Sequence, residues 1–172
     1  KLPEGNPFRI QALLHEALTR VNAGDLTNGL AIAQSAMHSA EQLLEEDHPV
    51  RIMAAMILSN AYARGGRLRE SRDLLSHYEP FARSLGGPTS LGTLEFSDRL
   101  AARSFEVGDY QIACNTALDV EKRGREQAQA ISPSLESSLL MRYAATRRSG
   151  MNVLLNCAHQ LPDDPISNEV FQ

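Results

Sequence analysis

The chain has no run of about eighteen consecutive apolar residues, so it offers nothing that would cross a bilayer as a helix. It also lacks a strong charge of either sign; the net charge is -4. A domain that binds DNA or RNA normally carries a marked basic excess, so nucleic acid is not an expected partner. Tryptophan is absent and other aromatics are few. Cysteine is scarce. Cys114 and Cys157 are far apart and have no metal-ligand spacing. They read as buried, reduced, small apolar residues in preference to a disulfide, which points to the cytoplasm. No segment alternates apolar and polar residues over a strand length, so almost no sheet is expected.

What is present suffices for one domain over 1–172 with a sizeable core. The chain opens on Lys1 rather than Met, which reads as a piece of something longer and leaves room for a removed leader.

The sequence repeats. Gly24, Gly66, Gly108 and Gly150 stand 42 residues apart. Each interrupts a helical pattern, in "VNAGDLT", "YARGGRLRES", "FEVGDYQIA" and "TRRSGMNV". Glycine there permits a left-handed cap, so each is expected to divide two antiparallel helices. Three matched positions travel with it. Ala17, Ser59, Ala101 and Tyr143 precede the glycine; Leu26, Leu68, Tyr110 and Asn152 follow it closely; Gly29, Ser71, Ala113 and Leu155 come slightly later. Small residues at the first and third positions let two helix backbones approach, and the apolar residue between them seals the turn. The fourth copy keeps the glycine and loses the small residues, as a terminal repeat does. First helices are expected over roughly 7–22, 48–64, 90–107 and 133–148, second helices over roughly 26–46, 67–85, 109–128 and 151–160. Pro49, Pro88 and Pro133 fall near first-helix starts, where a missing N–H costs little.

These residues resemble the tetratricopeptide repeat (TPR) family. The second copy matches best, through Leu58, Ser59, Tyr62, Gly66, Leu68, Glu70, Ser71 and Leu75. The third matches through Leu100, Ala101, Gly108, Tyr110 and Ala113, and the first through Ala17, Gly24, Leu26, Ala33 and Ala36. The family period is about 34. A period of 42 with "DHP" entering a first helix is similar to the longer repeats of kinesin light chains and bacterial regulators. The family's closing proline is missing, since Pro80 falls too early. The resemblance implies an all-α fold, an α-solenoid of about four antiparallel helix pairs wound as a right-handed superhelix. Repeats are expected at roughly 9–50, 51–92, 93–134 and 135–161, with a tail over 162–172.

No catalytic, cofactor or metal constellation is expected. "HEALT" at His15 lacks the second histidine of a zinc-protease helix. Cys157 and His159 have no oxyanion hole to serve. "ARGGRLRES" lacks the Gly-Lys-Ser/Thr ending of a phosphate loop. Asp163 and Asp164 in "LPDDPIS" read as a turn. The clusters Arg64, Arg67, Arg69, Arg72 and Lys122, Arg123, Arg125 read as solvated faces near helix ends. Met37, Met53, Met56 and Met141 read as core filler.

The resemblance also implies a groove lined by first helices. It would hold Met53, Met56, Asn60, Ala63 and Arg64 of the second copy, then Glu95, Asp98, Ala102, Phe105 and Glu106 of the third. Ser137, Leu140, Ala144, Arg147 and Arg148 of the fourth would follow. The groove would run basic, acidic, basic. Ile57 occupies the asparagine position of the family's carboxylate clamp, so no clamp is expected; Asn60 is the residue suited to bond a peptide backbone. Asn60, Arg64, Asp98 and Arg147 are expected to serve binding and not folding. The implied function is a non-catalytic module that holds a protein or peptide segment, a sensor, regulatory or scaffold part of a larger protein. The alternative is an architectural subunit working through its convex or lateral surface. Val153, Leu154 and Leu155 would leave apolar surface at the end of the solenoid. That surface would be capped by Ile166, Val170 and Phe171, or covered by a second copy or by other parts of the same chain.

Overall fold

The computed structural model of the chain describes residues 6–130, 150–157 and 159–160. Six helices succeed one another: α1 (Pro7–Asn22), α2 (Leu26–Leu43), α3 (Pro49–Arg64), α4 (Leu68–Gly86), α5 (Leu91–Glu106) and α6 (Tyr110–Ala130). A seventh, α7, covers 150–157 and resumes at 159–160. There is no strand among the described residues. The helix expected over 133–148, with Met141, Arg147 and Arg148, and the tail over 162–172 lie outside them.

Local chemistry explains the starts. Proline stands at the first turn of α1 and of α3, and the Asn6 and His48 side chains accept from the Phe8 and Val50 amides. Ser90 caps α5 by accepting from Thr93 N–H. Asp25 caps α2; hydrogen bonds from Asn28, and then Arg20, hold its carboxyl below the usual range. One expected end moved. α2 stops at Leu43, because Leu44 is extended and the acidic run Glu45, Glu46, Asp47 would stand against the negative end of the helix.

The three glycine turns have one geometry. Gly24, Gly66 and Gly108 take φ of +89°, +77° and +89°. In each, the N–H after the glycine donates five residues back: Asp25 to Arg20 O at 2.9 Å, Arg67 to Tyr62 O at 2.8 Å, Asp109 to Ser104 O at 2.8 Å. In each, the glycine N–H donates three residues back. Donors and acceptors both repeat with the 42-residue period. This is the Schellman ending, which satisfies carbonyls the helix leaves open. Gly150 departs from expectation. It is not in the left-handed region; it is helical and buried in α7, where an added Cβ would lie 3.7 Å from Ala117 O. The fourth glycine is helical, and an added methyl there would make only ordinary contacts.

The contacts gather into two compact units, Lys1–Leu85 and Gly86–Gln172. In the first, α1 buries Ile10, Leu14, Ala17 and Val21 along one stripe, and α2 buries Gly29, Ala33, Ala36, Met37 and Ala40. An added Cβ on Gly29 would come within 2.6 Å of Val21 Cγ2, so glycine is required there by space. α3 packs against both helices and is buried around much of its circumference, with Ile52, Ala55, Leu58 and Ala61 among its core residues. Ser71 of α4 donates to Ser59 O at 2.8 Å, a buried bond between two small periodic positions.

In the second unit, Ala101 of α5 meets Ala113, Cys114 and Ala117 of α6 and Val153, Leu154 and Cys157 of α7. Val153 and Leu154 are buried while Leu155 is half exposed, so part of the expected apolar surface is covered. Cys114 and Cys157 are buried as expected but not reduced: they form a disulfide, with Cα atoms 5.8 Å apart. The reason lies in the period. A separation of 43 is one repeat plus one residue, which sets the two cysteines on facing sides of α6 and α7. The Cys157–His159 nucleophile is thereby removed.

Gly66→Ala should destabilise the protein by about 1–2 kcal/mol, although nothing lies within 4 Å of the added methyl, because the cost is in φ alone. Gly65→Ala, at φ −84°, should be neutral or stabilising by about 0.4–1 kcal/mol. Urea midpoints of the two variants check this.

Candidate functional site

α3 carries the residues of interest in the first unit. Met53, Met56 and Asn60 are spaced three and four apart, so they share one face, and all three are half-buried. Met37, by contrast, is core, at 3% exposure. Among the described residues, the Asn60 side-chain amide has no hydrogen-bond partner. Ala63 and Arg64 follow on the last turn, half-buried and exposed. Arg64 Nη1 donates to Asn22 Oδ1 at 3.0 Å, a bond between residues one period apart. Arg64 therefore joins the ends of two first helices, and its expected freedom from any folding role is corrected.

The elements holding this face are fixed by polar contacts at both ends of α3. Arg51 Nε donates to Tyr78 OH at 2.8 Å, and Arg51 Nη1 to Leu44 O at 3.2 Å. At the other end, Arg67 lies over the Tyr62 ring at 4.3 Å and pairs with Glu70. Arg72 pairs with Asp73 at 2.8 Å. Arg64, Arg67 and Arg72 thus engage Asn22, an aromatic ring and carboxylates. They do not converge on an anion.

A cleft of about 310 Å³ opens elsewhere in this unit, among α2, α3 and α4. Gln34, His38, Glu41 and Tyr62 line it, and Gln34 Nε2 donates to Tyr62 OH at 3.4 Å. No motif marks it, because its walls come from helices on different repeats.

In the second unit, Glu95, Asp98, Ala102 and Phe105 are half-buried on α5 and Glu106 is exposed. Phe105 packs on the Ala101–Cys114–Leu154 cluster and against the Tyr110 ring, with centroids 5.2 Å apart. It is therefore partly a core residue. Asp98 Oδ1 lies 3.7 Å from where a Cβ of Gly150 would stand, so Asp98 also borders packing. Glu106 pairs with Arg103.

The basic cluster on α6 needs correction too. Lys122 and Arg125 are exposed, Arg125 reaching the buried Glu121, but Arg123 is 6% exposed. Its guanidinium pairs with Asp119 at 2.7 Å and donates to Pro88 O and to Ser97 Oγ. Arg123 ties the "SLGGPTS" link to α6 as an interior group. The link needs both of its glycines: Gly87 takes φ +79°, and an added Cβ on Gly86 would meet Ser90 Oγ at 2.6 Å.

Among the described residues, no cluster of His, Cys, Asp and Glu could hold a metal ion, and no helix is long and apolar enough to cross a membrane. His15 and Glu16 are exposed on α1, with Glu16 bonded to Arg20.

No protein-family model and no curated protein matches the chain. Solved structures do. A kinesin light chain-like protein of Podosopora anserina with nearly identical TPR-like repeats superposes with a TM-score of 0.67. The match covers 96% of this chain and 83% of that one at 16% identity. A single-substitution variant of the same protein gives 0.66 over 95% and 82%, also at 16% identity. The fold is TPR-like. The all-α solenoid class implied by the repeats is the one found, and the TPR-like fold agrees with the placement of glycines and small residues. TPR-like folds generally mediate protein–protein interaction and are generally non-catalytic.

Burial pushes the Tyr78 hydroxyl above its ordinary range, against the opposing pull of Arg51. A raised pKa in the folded state gives stability that is whole below about pH 10 and is lost as pH climbs through the folded value. Denaturant titrations should show stability falling above about pH 10 in the native chain. Tyr78→Phe should lose about 1.5–3 kcal/mol at pH 7, with the bond to the Arg51 guanidinium, and should show less of that alkaline decline.

Proposed function

We propose that the chain is a non-catalytic interaction module that holds an extended protein or peptide segment against the exposed face of its first helices. One observation carries this reading. Asn60 presents an amide without a hydrogen-bond partner among the described residues, half-buried beside Met53 and Met56 on α3. An amide supplies both a donor and an acceptor, which is what the backbone of an extended peptide needs. Methionine beside it adapts to varied side chains. The TPR-like fold supports the reading, because its generic use is protein interaction. Glu95 and Asp98 on α5, with Phe105, Arg147 and Arg148, are assigned to the same role by the repeat register alone.

The wider assignment is a sensor, regulatory or scaffold segment of a larger protein, with a protein or peptide partner and no cofactor. The cytoplasmic expectation rested on reduced cysteines, and the Cys114–Cys157 bond removes that ground.

A phage-displayed library of random twelve-residue peptides, selected on the immobilised chain, should yield binders measurable by fluorescence anisotropy. Asn60→Ala should weaken them about tenfold, and Met56→Ala about threefold or more, while Tm stays within a degree or two. Glu41→Ala, in the other cleft, should change nothing. Binders insensitive to Asn60 and lost with Glu41→Ala would move the site to the second-helix side, as an architectural subunit would have it.

A further inference from the structure

We propose that the cleft among α2, α3 and α4 receives an arginine side chain from a segment of a partner protein, with Glu41 pairing its guanidinium and Gln34 and Tyr62 completing the grip. This site is separate from the Asn60 face and does not rest on it. Leu58 and Tyr62 stand two residues either side of Asn60, which at 3.6 residues per turn puts them across α3 from it.

The cleft has an apolar floor and a rim rich in acceptors. Met37 and Leu58, both buried, and the half-buried Leu74 supply the floor. Gln34, His38 and Glu41 are exposed on α2 at spacings of four and three, so they form one row about 10 Å long beside the opening. Gln34 spends an amide N–H on the Tyr62 hydroxyl, at 3.4 Å, which leaves its Oε1 open as an acceptor. The Glu41 carboxylate has no hydrogen bond and no ion pair among the described residues, whereas Glu46, further along the chain, is held by His77. Arg67 lies over the Tyr62 ring, but Glu70 already neutralises it. The cleft therefore carries a negative charge with no cation of its own.

A guanidinium suits this set better than an ammonium. It is planar, weakly hydrated and carries five donors, so it can meet the Glu41 carboxylate with two N–H groups and still reach Gln34 Oε1. Its methylenes then lie on Met37 and Leu58. The volume of about 310 Å³ stands at the lower end of small-ligand sites, with room for one long side chain and none for a helix. Nor does the repeat ask for these groups. One period on, Ser76, Pro80, Arg83 and Ser104 stand where Gln34, His38, Glu41 and Tyr62 do, so the pattern that builds the fold is indifferent to them and the charge at the Glu41 position is reversed.

One side chain is a single anchor in a larger contact, so its own Kd is about 1–10 mM, too weak to be recovered by peptide selection. Amide NMR titrations of the whole chain with N-acetyl-arginine amide test the site. The probe should move the amides of 34–41 and 58–62 and saturate in that range. N-acetyl-citrulline amide, of the same shape without the charge, should bind about threefold to fivefold more weakly or less, and N-acetyl-lysine amide measurably more weakly. Glu41→Gln, which has no bond to lose, should keep Tm and weaken the arginine probe by about the same factor as citrulline. Asn60→Ala should leave these titrations unchanged, so they stand or fall apart from the Asn60 reading. No saturable shift at these amides, equal binding of citrulline, or full binding by the Glu41→Gln chain overturns the proposal. Equal binding of the lysine probe overturns the choice of guanidinium. Free arginine held much more tightly than its blocked form overturns the partner segment in favour of the amino acid itself.

Discussion

The fold depends on a left-handed glycine followed by an N–H that reaches back five residues. At Gly24, Gly66 and Gly108 this pair ends a first helix and turns the chain into a second. A side chain at such a φ is strained, so the turn can sit only where glycine sits. Fixing the turn also fixes what faces what. Small residues seven before and five after the glycine meet across the pair, as Ala17 meets Gly29 and Ser59 meets Ser71. Close approach of the two helices follows from those pairs, and the short aliphatic core follows from close approach.

Between pairs the chain uses different devices. His48 and Pro49 start α3 after an acidic turn, while Gly86, Gly87 and Ser90 make the link to α5, clamped by Arg123. These links need not repeat, because each meets a different surface. What is left over on α3, namely Met53, Met56 and Asn60, satisfies no structural requirement that the turns or the core impose. That surplus is where interaction is sought.

Much of this was legible in the sequence. α1 and α3 begin and end where proline and the periodic glycines put them, and the all-α class follows from the same spacing. Three features were not legible, each for a physical reason. A glycine at the right period is required by φ at Gly66, whereas Gly150 is helical with room for a methyl, and one letter hides the difference. Arg123 sits in a run with Lys122 and Arg125 and differs from them only in the side of α6 it occupies, which brings it to the Pro88 carbonyl. The Cys114–Cys157 pairing was hidden by linear distance, although one repeat plus one residue was its trace in the sequence. For the candidate site, the sequence indicated the face that holds Asn60. It could not show that Arg64 is joined to Asn22, since that needs the ends of α1 and α3 side by side.

Everything above hangs on the backbone at the four periodic glycines. NMR measurement of φ there, from HN–Hα and residual dipolar couplings, tests it most directly. Positive φ is predicted at Gly24, Gly66 and Gly108, and a right-handed helical value at Gly150. A negative φ at any of the first three, or a positive one at Gly150, would contradict it.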